Sequence, residues 1–238
     1  MTFPQRDRAP SPDDQSSEAP PRRDDHPGDG AARGTIRMEA FADAVFAIAM
    51  TLPIVHIDIP EPGPDYGIRL LALWPSYLGY ALSVLVIGIY WVQHHFSGAI
   101  YRTTGHLFLL ATVLFLAAIG FVAFPTRIFA DNLAFPEARE AAARYYTLAL
   151  TITAFTWWIK WRTGRAMGQV DARLDKGYVH RLSRQYDITT VAMLASAVLG
   201  WWSWPLGLAV TGLVTLSYLR PPETPVYCQE APIVEGEE

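Results

Sequence analysis

An acidic side chain stands within the first long apolar run of the chain. Asp43 follows Arg37 and Phe41 in the stretch 37–60, RMEAFADAVFAIAMTLPIVHIDIP, which is long enough to cross a membrane. An ionised side chain that faces lipid is costly, so Asp43 is expected to face protein or water and is a candidate for an ion pathway. The alternative is that Asp43 is a helix-start carboxylate at the level of the lipid headgroups.

The partner expected for Asp43 lies at the end of the second apolar run, which reads IGIYWVQHHF over residues 87–96. Trp91, His94 and His95 offer an indole N–H and two imidazoles at a matching depth. The sequence therefore predicts a hydrogen-bonded cluster of Arg37, Asp43, Trp91 and His94 that neutralises the acid and fixes the first helix. His95 lies 100° round the helix from His94 and is expected to reach the headgroups, which is also the alternative for His94.

The first helix carries a single stripe of mostly apolar side chains. At 100° per residue the stripe contains Arg37, Phe41, Ala44, Ile48, Thr51, Leu52 and Val55. Such a stripe commonly packs within its own subunit. Here the costly charge of Asp43 lies on another face, so the stripe is also free to meet its own copies around a symmetry axis. In that arrangement several first helices would enclose a narrow hydrophobic pore.

Further apolar runs predict an all-α integral membrane protein. Runs of spanning length occupy 37–58, 69–95, 105–125, 142–163 and 186–219. The last run divides at WWSWPLG, residues 201–207, into helices near 185–202 and 205–219, which gives six transmembrane helices within 35–220. The sixth would be short for a bilayer, so five spans remain the alternative.

Charged segments predict the orientation of these spans. Segment 160–184 holds seven Lys and Arg residues, whereas segment 58–66 holds acids and no base. Because basic loops stay in the cytoplasm, both termini of a six-span chain are cytoplasmic. Residues 1–34 are rich in Pro, Asp, Arg, Gly and Ser and are predicted to be a disordered tail; residues 221–238 form a second, cytoplasmic tail.

The motifs of several other classes are missing from the sequence. It has no HExxH, GxSxG or Walker pattern and no TVGYG filter, and Cys228 is the only cysteine. These absences argue against an enzyme, a zinc cage and a carbonyl filter. Two further classes stay open: a proton-coupled or proton-conducting transporter using Asp43 and His94, and a noncatalytic scaffold whose basic loop binds anionic lipid.

The first helix resembles that of a known channel family. RMEAFADAVFAIAMTLPIV is similar to the RxxxFSD signature of the transmembrane protein 175 potassium channels, with Arg37, Phe41 and Asp43 at the motif's Arg, Phe and Asp. YWVQHHF resembles that family's helix-two ending. The resemblance implies six spans without a P-loop and, for a single-repeat chain, a homotetramer in a bacterial plasma membrane.

The same resemblance implies the pore chemistry. Ile48, Leu52 and Val55 would form hydrophobic constriction layers and Thr51 the polar layer between them. Potassium would be the permeant ion, with no cofactor, no tightly bound metal and no nucleic-acid partner.

Two positions depart from the family pattern. Ala42 replaces the serine of the motif, so one hydroxyl of its network is absent. Pro53 removes a backbone hydrogen bond inside the helix and is expected to kink its outer half. Val55 is therefore the least certain pore position.

Overall fold

The computed structural model describes residues 34–55 and 57–228, and within them the chain is built from eight α-helices. Their bounds are α1 Ile36–Val55, α2 Tyr66–Ala72, α3 Trp74–Gly98, α4 His106–Phe121, α5 Ala123–Asn132, α6 Pro136–Ala166, α7 Lys176–Trp202 and α8 Trp204–Ser217. Of the tail predicted to be disordered, only Gly34 lies inside the described residues. Residues 229–238 of the second tail also lie outside them.

Three helical stretches in the described residues are long and apolar enough to cross a membrane by length and composition. They are α1, α3 and the continuous stretch His106–Asn132, which comprises α4 and α5. Helix α8 is apolar but shorter. The structure therefore has apolar helices of membrane-spanning length, and the count of six spans stays a prediction.

The basic segment 160–184 is mostly helical, which corrects the sequence-based interpretation of it as a loop. Helix α6 continues to Ala166 and α7 already begins at Lys176, so only residues 167–175 connect them. Asp175 caps α7 by accepting a hydrogen bond from the backbone N–H of Tyr178 at 2.7 Å. Hydropathy does not locate the end of α6 or the start of α7, because the helical turns that extend beyond an apolar span are as highly charged as a loop.

Aromatic side chains form the core between the helices. Helix α6 packs against α4, α5, α7 and α8, whereas α1 packs mainly against α3 and α4. Phe46 of α1, Phe115 of α4 and Trp157 of α6 are all buried and belong to one cluster. Ring centroids of Phe115 and Trp157 lie 5.0 Å apart in an edge-on arrangement. The core thus joins the first helix to the middle of the bundle.

Several buried hydroxyl groups are satisfied within their own helices. Those that donate to the carbonyl four residues earlier are Ser83, Thr112, Thr126, Thr151, Thr153 and Thr190. This bonding removes an unpaired donor from an apolar interior. Polar residues of this type therefore fit a helix that has no water around it.

Backbone pairing joins the loops at one end of the bundle. Residues 100–102 pair with 169–171, and residues 173–175 pair with 226–228. The Tyr227 hydroxyl also donates to the Ala99 carbonyl at 2.7 Å, directly after α3. Part of the predicted C-terminal tail is consequently held against both of these loops.

Helices α7 and α8 approach each other at two glycines. A methyl group on Gly207 would lie 2.6 Å from the Gly200 Cα atom and 2.7 Å from the Ser196 carbonyl oxygen. Both obstacles are backbone atoms, so relief would require a helix to move. Nearby, the Thr211 hydroxyl donates to Ser196 Oγ at 3.0 Å.

We expect Gly207→Ala to destabilise the protein by about 1–3 kcal/mol, because overpacking displaces α8 from α7. Thermal unfolding of the detergent-solubilised protein measures the change. Gly212→Ala is the matched control, since nothing lies within 4 Å of that position on the same helix. Equal melting temperatures for the two variants would contradict the close approach.

Candidate functional site

Helix α1 is packed on one side only. Its buried residues are Met38, Ala42, Phe46 and Ala49. All members of the predicted stripe are exposed: Arg37, Phe41, Ala44, Ile48, Thr51, Leu52 and Val55. Ile48 and Leu52 expose 56% and 52% of their surface. The stripe is therefore not part of the subunit core, although residues of this kind are normally buried.

The polar member of the stripe is tied to the helix backbone. The Thr51 hydroxyl lies 2.9 Å from the Ala47 carbonyl oxygen and 3.2 Å from that of Ile48. Donation to these carbonyls leaves the hydroxyl oxygen free to accept on its outer side. Pro53 follows two residues later, and α1 continues through it to Val55.

Asp43 receives one of its predicted partners. Trp91 Nε1 on α3 donates to Asp43 Oδ1 at 3.1 Å, although both side chains are exposed in the single chain. No ion pair joins Arg37 to Asp43 among the described residues. Ala42, where the family signature has serine, is completely buried. The missing hydroxyl would thus lie in the packed face of α1.

His94 is not in the cluster predicted for it. Its Nδ1 atom lies 2.9 Å from Lys160 Nζ on α6, and both side chains are buried, with 3% and 1% of their surface exposed. The Asp43–Trp91 hydrogen bond and the His94–Lys160 contact are separate, and no hydrogen bond joins Asp43 to His94 among the described residues. His95 is exposed and stacks on Trp91 with ring centroids 5.8 Å apart.

Lys160 is the site residue that sequence reasoning missed. Charge counting placed it in the cytoplasmic basic segment, although it also lies within the apolar run 142–163. Its nitrogen lies over the rings of Trp157, Tyr101 and Phe115, at 4.8, 5.4 and 5.8 Å from their centroids. Three nearby aromatic rings are a favourable environment for a lysine nitrogen away from water. Its overlap with an aromatic-rich apolar run was the available signal.

These features define an all-helical integral membrane protein whose first helix presents an exposed, mostly apolar face. A family model described as "Endosomal/lysosomal potassium channel TMEM175" matches residues 37–123, which include α1 from its second residue onward and the Asp43–Trp91 pair. A potassium channel from Streptomyces collinus is 34% identical over 188 residues, covering 76% of this chain and 90% of the relative. A potassium channel from Chamaesiphon minutus is 36% identical over 157 residues, covering 64% and 77%.

The fold agrees with a solved structure. The crystal structure of a lysosomal potassium-selective channel TMEM175 homologue from Chamaesiphon minutus matches with a TM-score of 0.66 and 30% sequence identity, over 78% of this chain and 96% of that one. The chain belongs to the TMEM175 family. The family resemblance stated from the first-helix residues is confirmed.

We expect Trp91→Phe and Asp43→Asn each to lower the stability of the protein, because each removes or weakens the hydrogen bond between α1 and α3. Their combined effect should be smaller than the sum by about 1 kcal/mol. Thermal unfolding of the four proteins in the double-mutant cycle gives this coupling.

Trp202→Phe serves as the control for the loss of an indole, since Trp202 exposes 77% of its surface. Purely additive effects of the two substitutions would show that the Asp43–Trp91 hydrogen bond adds no stability.

Proposed function

We propose that this chain is a potassium-selective channel in which four copies of α1 line a central pore. The exposed stripe of α1 is the observation that carries the proposal. Lipid is as apolar as Ile48 or Leu52, so their exposure alone favours no partner, but the Thr51 hydroxyl in the same stripe favours a protein partner across a water-filled space over lipid. Copies of the same helix around a symmetry axis supply that partner, and one helix cannot enclose a pore alone.

The proposed topology has six spans with both termini in the cytoplasm, within a channel domain of residues 35–220. Its spans are α1, α2 with α3, α4 with α5, α6, α7 and α8. The paired loops after α3 and α6 and the segment after α8 lie together at one end of the bundle, as this topology requires. Basic residues of the 167–184 region lie toward the same end, which supports a cytoplasmic position. The proposed location is a bacterial plasma membrane.

The proposed pore selects by the cost of removing water from the ion. Ile48, Leu52 and Val55 form apolar rings, and Thr51 supplies hydroxyl oxygens between them. A narrow apolar ring without carbonyl ligands disfavours the ion that holds its water more tightly, which is sodium. Closure of such a ring stops conduction because water leaves it. Transport is passive, and potassium is the permeant ion rather than a resident cofactor.

The relatives support conduction of potassium. Two bacterial relatives that this chain matches over most of their length are named potassium channels, and the similar solved structure is described as potassium-selective. The Arg37, Phe41 and Asp43 signature and the Trp91, His94 and His95 ending lie in the segment that the family model matches. We assign these six residues to the network that holds α1 rather than to the ion path.

The proton-coupled alternative used Asp43 and His94 as one relay. In the structure Asp43 bonds to Trp91, whereas His94 contacts Lys160. Among the described residues Asp43 and His94 share no hydrogen bond, so the geometry gives no support to a proton path between them. The channel is therefore the function that the geometry supports best.

Reversal potentials across planar bilayers with potassium on one side and sodium on the other test the proposed function. We expect unitary currents without a pH gradient and a reversal potential displaced toward the potassium equilibrium potential. Flux that appears only under a proton gradient would replace the channel with a proton-coupled carrier.

Ile48→Ser tests the constriction. A small polar side chain should widen and hydrate the ring, so we expect a larger leak and a potassium-to-sodium permeability ratio lowered by about fivefold or more, the effect of roughly 1 kcal/mol. Ile54→Ser is the matched control, because Ile54 is a similarly exposed isoleucine outside the stripe on the same helix. An unchanged ratio in Ile48→Ser would exclude Ile48 as a selectivity residue.

A further inference from the structure

The buried pair of Lys160 and His94 lies behind the helix that lines the proposed pore. Phe46 of α1 exposes 1% of its surface, and its ring centroid lies 5.6 Å from that of His94. Residues 46 and 48 are 200° apart round a helix, so Phe46 and Ile48 point to nearly opposite sides. The contact between Phe46 and His94 therefore supports α1 from the side away from the stripe.

Lys160 determines how the His94 ring is held. When Lys160 is protonated it can only donate, in which case Nδ1 of His94 accepts and the ring proton resides on Nε2. Nε2 is buried and has no hydrogen-bond partner in the described part of the chain. The contact with Lys160 is consequently the polar interaction that fixes this ring. Packing against Phe115, stacked at 6.1 Å, and Trp157, edge-on at 6.3 Å, completes its surroundings.

Two side-chain contacts join α1 to α3. Asp43 meets Trp91, and Phe46 meets His94, so the partners are three residues apart on both helices. Two contacts one turn apart fix the rotation of a helix about its own axis, whereas either contact alone leaves that rotation less restricted. Of these two contacts, the Phe46–His94 contact is the one that reaches α6, through Lys160 and through Trp157.

We propose that Lys160 is a positioning residue for the pore: it holds the His94 ring, the ring supports Phe46, and Phe46 sets the rotation at which α1 presents Ile48 and Thr51. The inference rests on the proposed function, because it concerns the helix assigned to the pore. Lys160 itself is buried and takes no part in contacting the ion. Glu39 on α1 and Tyr101 after α3 also face Lys160, and His95 on α3 acts on His94.

Lys160→Met tests this role because methionine is similar in length but cannot donate to Nδ1. We expect the potassium-to-sodium permeability ratio to fall by about fivefold, the size of effect that loss of one net hydrogen bond produces. Lys176→Met is the matched control, since Lys176 is the other lysine of the chain, is exposed and begins α7. It should leave the ratio unchanged. Equal ratios in Lys160→Met and the wild type would overturn the proposal.

The double variant Lys160→Met with His94→Phe separates positioning from a direct effect of charge. Replacing both polar partners leaves no unpaired group and keeps an aromatic ring against Phe46. We expect this variant to recover the selectivity that Lys160→Met loses. A ratio that stays low in the double variant would show that Lys160 acts without His94. If Lys160→Met alone fails to assemble, a selective double variant would still support the proposal, and a non-selective one would overturn it.

A readout that needs no current keeps this inference distinct from the proposed function. Cys228 is the only cysteine, so Cys228→Ser gives a background without thiols. In that background, a water-soluble thiol reagent modifies Ile48→Cys at a rate that reports the exposure of this position. We expect Lys160→Met to change this rate by about threefold or more. Lys176→Met should leave the rate unchanged. Unchanged rates would overturn the positioning role. If the rates change in a protein that passes no potassium, the positioning role of Lys160 stands and the proposed channel function is rejected.

Discussion

One-sided packing of α1 is the constraint on which the rest of the structure depends. In a membrane, lipid is as apolar as the side chains, so close packing of small residues and polar contacts hold helices together rather than the hydrophobic effect. Ala42 and Ala49 bring α1 close to its neighbours, and Trp91 adds a hydrogen bond to Asp43. The opposite face keeps Ile48 and Leu52 outside the subunit core. Such an arrangement holds the helix firmly while its apolar stripe remains available to other copies.

The lack of water around the helices also constrains the buried polar groups. A buried donor without a partner costs about 1–3 kcal/mol, which explains why the threonine hydroxyls bond to carbonyls of their own helices. Within the described part of the chain Lys160 has no such carbonyl contact, and it is instead placed between His94 and three aromatic rings. Through this contact the central helix α6 reaches α3, and through Phe46 it reaches α1.

Residue spacing in the sequence predicted the helical class, the membership of the α1 stripe and Trp91 as one partner of Asp43, but it left open whether the stripe packs within its own subunit. These features depend on the period of one helix or on depth in the bilayer, and both can be read locally. The partner of His94 depends instead on which helix lies behind α3, a tertiary fact that no local period contains. For the same reason the pairing of residues 226–228 with 173–175 could not be predicted. Lys160 was assigned to the cytoplasmic basic segment because the sequence does not distinguish a lysine that reaches the headgroups from one that turns into the bundle.

In a pore without carbonyl ligands, the rotation of the lining helix determines which side chains form the constriction. Side chains lie about 5 Å from a helix axis, so a rotation of roughly 20° moves them by about 2 Å. A shift of that size is close to the radius of a water molecule, and the conduction of an apolar ring depends on whether water remains in it. In the proposed pore, the residues that fix rotation therefore influence selectivity as much as the residues that face the ion. Under this proposal, the residues that fix rotation are Asp43, Phe46, Trp91, His94 and Lys160, which hold the side of α1 away from the stripe.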